Sequence, residues 1–186
     1  IYGKVLAAQF KRLSAMPAWN QQGTYAEGSD LGGALFDLHI HDTDFVNHLF
    51  GRPADVFSSG VVSSAGAINQ VVTQYHFPGG PEVHAEGSWL LAEGFKMAYT
   101  MQCERATLDY DLARGADALI ITETGQPPRV VELEGTDGYA NEINYFIDCV
   151  ANRQPPCIVT AREGVTALEI CEAEETSIHT GALIKL

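Results

Sequence analysis

The chain has 186 residues, 46% of them hydrophobic and 19% charged, which supplies a folded core and excludes intrinsic disorder. Its formal net charge of −13 argues against nucleic acid or an anionic membrane as a partner, since both are polyanions. No apolar run approaches the ~20 residues of a membrane helix. The four cysteines (Cys103, Cys149, Cys157 and Cys171) form no C-x-x-C pair, so free thiols in a reducing, cytoplasmic setting are expected.

Val5 to Ser14 reads as a strand, with Arg12 near its end. Met16 to Asp30 is loop-like, broken by Pro17, Gly23 and Gly28, and carries Trp19 and Tyr25. Gly33 to Phe50 has helical spacing, stopped by Gly51 and Pro53. Seven extended segments follow: Asp55–Ser64, Ile68–Phe77, Glu82–Ala92, Phe95–Glu104, Ala106–Leu112, Ala118–Thr124 and Arg129–Leu133. Their connections are too short for parallel crossovers, so antiparallel pairing is required. Val71, Thr73, Tyr75 and Phe77 alternate with Val72, Gln74 and His76, which suggests one packed and one mixed face. Helical spacing returns at Tyr139–Ala151 and Ala161–Thr180, separated by Pro155-Pro156. Ala182–Leu186 reads as a short edge strand, and strands flanked by helices make the class α+β.

The densest chemistry lies in the first helical stretch. Asp37, His41, Asp44 and His48 stand at i, i+4, i+7 and i+11, one stripe of a regular helix. A carboxylate one turn before an imidazole fixes its tautomer and raises its basicity, an arrangement suited to proton transfer near neutral pH. A solvated helix face accounts for the same spacing. As a strand, the segment would instead point His39 and His41 the same way, a metal-hydrolase arrangement. That reading needs a barrel of ~250 residues and further ligands. His76, His84 and His179 are each isolated, and the middle of the chain does not alternate strands with helices.

Gly32-Gly33-Ala34-Leu35-Phe36-Asp37-x-x-x-His41-Asp42-x-Asp44, followed by Leu49-Phe50-Gly51, resembles the G-G-x-L-x-D-x-G-x-H-x-x-D…L-x-G signature of the Gfo/Idh/MocA oxidoreductases. The segments around Arg12, Tyr139–Val150 and Glu169–Leu186 extend the likeness over nearly the whole chain. His39 departs from it, standing where the family often has glycine.

The resemblance implies an open, predominantly antiparallel sheet of about six to eight strands with helices packed on one face. Residues 1–186 would be the C-terminal substrate-binding and oligomerisation domain of an NAD(P)-dependent oxidoreductase acting on a sugar, polyol or related hydroxy compound. The start at Ile1 and the lack of G-x-G-x-x-G place the Rossmann domain, the E-K-P lysine and most of the NAD or NADP contacts upstream. Catalysis falls to His41 as general acid/base, with Asp37 holding it or bonding a substrate hydroxyl. Arg12, Trp19, His39 and Tyr139 are candidate substrate contacts, although each also has a packing explanation. The open sheet face is expected to build a homodimer or tetramer. Two alternatives stand beside this: an oligomerisation module with no activity of its own, and a metal-dependent hydrolase using His39 and His41. Turnover is not expected of these residues alone.

Overall fold

A computed structural model describes residues 1–17, 32–133 and 138–186. Eight strands form one sheet: β1 (Val5–Ala15), β2 (Asp55–Val62), β3 (Ile68–His76), β4 (Glu82–Cys103), β5 (Ala106–Asp111), β6 (Leu119–Glu123), β7 (Arg129–Val131) and β8 (Ile184–Lys185). Among the described residues three α-helices accompany it: α1 (Ile40–Phe50), α2 (Gly138–Ala151) and α3 (Ala161–Thr180). The class is therefore the expected α+β, with an open and mostly antiparallel sheet.

The sheet runs β7-β6-β5-β4-β3-β2-β8. β4 is one long strand, where sequence spacing suggested two. Its halves embrace β1, because Leu13 lies opposite both Lys96 and Ser88. The register runs in opposition along the second half, from Val5–Cys103 to Ser14–Phe95. It rises together along the first half, from Ala7–Glu82 to Leu13–Ser88, which is a parallel pairing inside an otherwise antiparallel sheet. Gly94, at φ +84°, sits where β4 turns round the end of β1.

One sheet face is sealed by α1 and α3. Ala8 and Phe10 from β1, Val56, Tyr75, Val83 and Ala85 from β2 to β4, Val46 from α1 and Ile170 and Ala173 from α3 form the principal core. Phe45 meets Phe10 edge-on at 5.7 Å, and Tyr99 stacks on Tyr110 at 4.8 Å. The opposite face carries polar pairs such as Lys11–Glu86 and Gln74–Glu82.

α3 begins with a reciprocal cap. Thr160 Oγ1 accepts the Glu163 N–H at 3.3 Å, and the Glu163 carboxylate accepts the Thr160 N–H at 2.6 Å. It ends at Gly181 in the left-handed conformation. α2 behaves differently: none of its residues is buried, and Ile143, Phe146, Ile147 and Val150 are more than half exposed.

Candidate functional site

The signature segment is helical, but not uniformly so. Leu35–His39 forms a π-turn, in which the Ile40 N–H bonds back to the Leu35 carbonyl, before α1 proper begins. Gly33 brings the chain in. It sits at φ +70° and bridges to Ile68, where an added Cβ would lie 2.4 Å from the Ile68 carbonyl oxygen. A side chain has neither the dihedral nor the room there, which accounts for the second glycine of the pair.

The π-turn adds a residue to one turn and shifts the stripe drawn for a regular helix. Asp37 is half-buried and His41 is exposed, with Asp44 half-buried and His48 exposed further along. The Asp44 carboxyl is held above its ordinary value, first by burial and then by the charge of Glu163, while His48 and His41 pull the other way. Asp44 therefore senses both imidazoles and the start of α3. Beside it opens a groove of about 660 Å³, lined by Asn141, Tyr145 and Phe146 of α2 and by Ile158 and Val159 of the following loop. The Tyr145 hydroxyl accepts the N–H groups of Cys157 and Ile158, tying α2 to that loop.

Arg12 points from β1 toward α1. Its Nε and Nη2 donate to the two carboxylate oxygens of Asp42 at 3.0 Å each, and Nη1 reaches Met97 Sδ at 3.0 Å. The guanidinium is thus engaged in a bidentate pair that pins helix to sheet, which favours its packing explanation over a substrate contact. Tyr139 is 81% exposed at the start of α2, with its ring in solvent. Trp19 lies outside the described residues.

His39 turns inward. It is fully buried beneath the helix, which favours its packing explanation. Its Nε2 lies 3.2 Å from the Tyr75 hydroxyl and 3.4 Å from Glu174 Oε2. Gly87 of β4 makes room, since a Cβ there would sit 2.6 Å from His39 Cβ. With His39 buried and His41 exposed, the two do not converge on an ion. The metal-hydrolase alternative assumed a strand, and the helix removes its geometry. Among the described residues no three His, Cys, Asp or Glu side chains are placed to hold a metal.

Sequence reasoning missed Tyr75 and Glu174 as neighbours of His39, and Thr43 as the residue that joins them. One signal was readable: Glu174 stands on the face of α3 that also carries Ile170, Cys171 and Ser177, an unusual place for a carboxylate.

The architecture is an open, mostly antiparallel sheet with one face covered by helices, the first of which carries His41, Asp44 and His48. Residues 1–109 match the GFO/IDH/MocA C-terminal domain, and the chain belongs to that family. Among solved structures, levoglucosan dehydrogenase in complex with NADH and levoglucosan aligns over 100% of this chain and 59% of its own, with a TM-score of 0.82 at 14% identity. Aldose-aldose oxidoreductase from Caulobacter crescentus, complexed with glycerol, aligns over 100% and 56%, with a TM-score of 0.81 at 18% identity. UDP-N-acetylglucosamine 3-dehydrogenase GnnA from Acidithiobacillus ferrooxidans aligns over 95% and 54%, with a TM-score of 0.78 at 18% identity. At these identities the likeness is one of fold. The chain spans between half and three-fifths of the length of these proteins. No curated protein matches it.

Proposed function

We propose that this chain is the substrate-facing domain of an NAD(P)-dependent oxidoreductase acting on a sugar, polyol or related hydroxy compound, with His41 as general acid/base. The observation that carries this reading is the opposite fate of two neighbouring imidazoles. His39 is sealed in the core, whereas His41 stands exposed and interacts electrostatically with Asp44. As neutral imidazole His41 takes the proton of a substrate hydroxyl during oxidation; as imidazolium it returns that proton during reduction. Asp37, half-buried one turn earlier, orients the ring or bonds a second hydroxyl. The three solved neighbours, whose names include levoglucosan, an aldose and a nucleotide sugar, support a polyhydroxylated substrate.

Among the described residues no strand runs through a glycine-rich turn into a helix and on to a parallel neighbour, the unit that seats a dinucleotide pyrophosphate. On this reading the nicotinamide cofactor is held mainly by residues outside this chain. The redox half of the reaction belongs to NAD or NADP held elsewhere, and this chain supplies the proton.

The same reading includes a homodimer or tetramer built on the open sheet face, where Phe57 and Val61 of β2 are exposed apolar side chains. The decisive experiment is His41→Asn in the full-length protein, assayed for NAD(P)-linked oxidation across a panel of sugars and polyols. Loss of about 10²- to 10⁴-fold in kcat is expected. Retained turnover overturns the assignment.

A further inference from the structure

Four buried side chains from four stretches of chain meet beneath the signature helix: His39 of the π-turn, Thr43 of α1, Tyr75 of β3 and Glu174 of α3, each no more than 1% exposed. Their hydrogen bonds have one consistent direction. The Thr43 hydroxyl donates to Glu174 Oε1 at 3.2 Å, which leaves its oxygen to accept from Tyr75 at 2.9 Å. The Tyr75 oxygen then accepts from His39, whose Nε2 must carry a proton. Burial and the charge of Glu174 hold the Tyr75 phenol well above its ordinary value, so it remains a donor. Glu174 Oε2 lies 3.4 Å from His39 Nε2 without a hydrogen bond of its own.

We infer that His39, through Tyr75, Thr43 and Glu174, is a positioning residue that sets the rotation of the helix presenting Asp37 and His41. Side chains two residues apart on a helix point about 200° apart. Tethering His39 into the sheet therefore turns Asp37, two before it, and His41, two after it, outward. Packing alone would hold this rotation loosely, because a helix on a sheet can roll by sliding apolar contacts. A directed chain of polar groups sealed from water opposes such a roll, since rolling would break its buried hydrogen bonds, although His39 Nδ1 and Glu174 Oε2 make no hydrogen bond as it stands. Two further features fit a purpose-made seat: the missing Cβ at Gly87 admits the ring, and the π-turn occurs at this step and nowhere else among the described helices.

This inference rests on the reading of His41 as the acid/base, and its test separates the two. In the full-length protein, His39→Leu is expected to lower kcat by about 10- to 100-fold, with KM little changed, because a small misplacement of a catalytic group is costly in rate. His39→Gln, whose amide nitrogen reaches toward Tyr75, is expected to restore most of it. An independent readout is the His41 ring resonance in two-dimensional NMR, which moves in His39→Leu and returns in His39→Gln. Should His39→Leu fail to fold, Tyr75→Phe, which keeps the ring and removes only the hydroxyl, is read in the same way. An unmoved His41 resonance in a folded variant overturns the positioning role. If instead the resonance moves while His41→Asn retains turnover, positioning stands and the acid/base assignment falls.

Discussion

Arg12 shows how one residue type carries two meanings. A cation near a strand end reads equally well as a substrate clamp or as a solvated charge. The structure makes it half of a nearly buried pair, with Arg12 and Asp42 side chains 17% and 5% exposed. Such a pair contributes little net stability relative to well-packed apolar groups, but breaking it leaves an uncompensated charge. Arg12→Leu is thus expected to destabilise by about 3 kcal/mol in chemical denaturation, and Arg12→Leu with Asp42→Leu to recover most of that. Equal losses in the single and double variants would show that the pair does not behave as a unit. Asp44 poses the reverse problem. Its carboxyl is raised, chiefly by burial, so the folded state holds the proton more readily than the unfolded state. Stability from this site is therefore greatest below the ordinary value of 3.8 and falls as pH rises through the raised one. Asp44→Asn is expected to be more stable than the parent at neutral pH. The gap should close in acid, a trend that thermal melts across pH would follow.

At the level of elements, the strands and helices were legible because each shows its own period. Ala161–Thr180 was readable to the residue, since Thr160 and Glu163 form the capping box and Gly181 the stop. Removing that cap with Thr160→Ala is expected to cost about 1 kcal/mol, seen as a lower denaturation midpoint. What stayed hidden was non-local or too short to have a period. Glu93-Gly94 looks like a turn between strands, yet hydrogen bonding to β1 continues on either side, so the break is a bend. The insertion of β1 between the halves of β4 depends on pairings 75 to 98 residues apart, on which alternation is silent. A five-residue π-turn is too brief to distinguish from a regular turn by spacing. Likewise, the glycine at position 87 was readable as a weak point in a strand, but not as the seat of an imidazole. Gly87→Ala is expected to cost about 1 to 3 kcal/mol by forcing His39 out of its slot.

For the molecule as a whole, covering one face of the sheet leaves two surfaces to explain. Antiparallel sheets tolerate water on one side when that side is polar, and much of this outer face is, with Lys11 paired to Glu86 and Gln74 to Glu82. Phe57 and Val61 interrupt it, 44% and 49% exposed on the same side of β2. α2 presents the second surface, an exposed apolar stripe of Ile143, Phe146, Ile147 and Val150. Its helical period was correctly legible, but period alone does not say whether a partner lies within the same residues. The two surfaces make different demands, and one experiment separates them. If self-association uses the sheet, Phe57→Glu combined with Val61→Glu places like charges where two copies of β2 would meet, and sedimentation velocity should show the mass falling to that of a single chain. Ile143→Glu in α2 should leave the mass unchanged under the same conditions. The opposite pattern, with the α2 variant dissociating and the β2 variant intact, would move the interface from strand to helix and remove the sheet face from the proposed assembly.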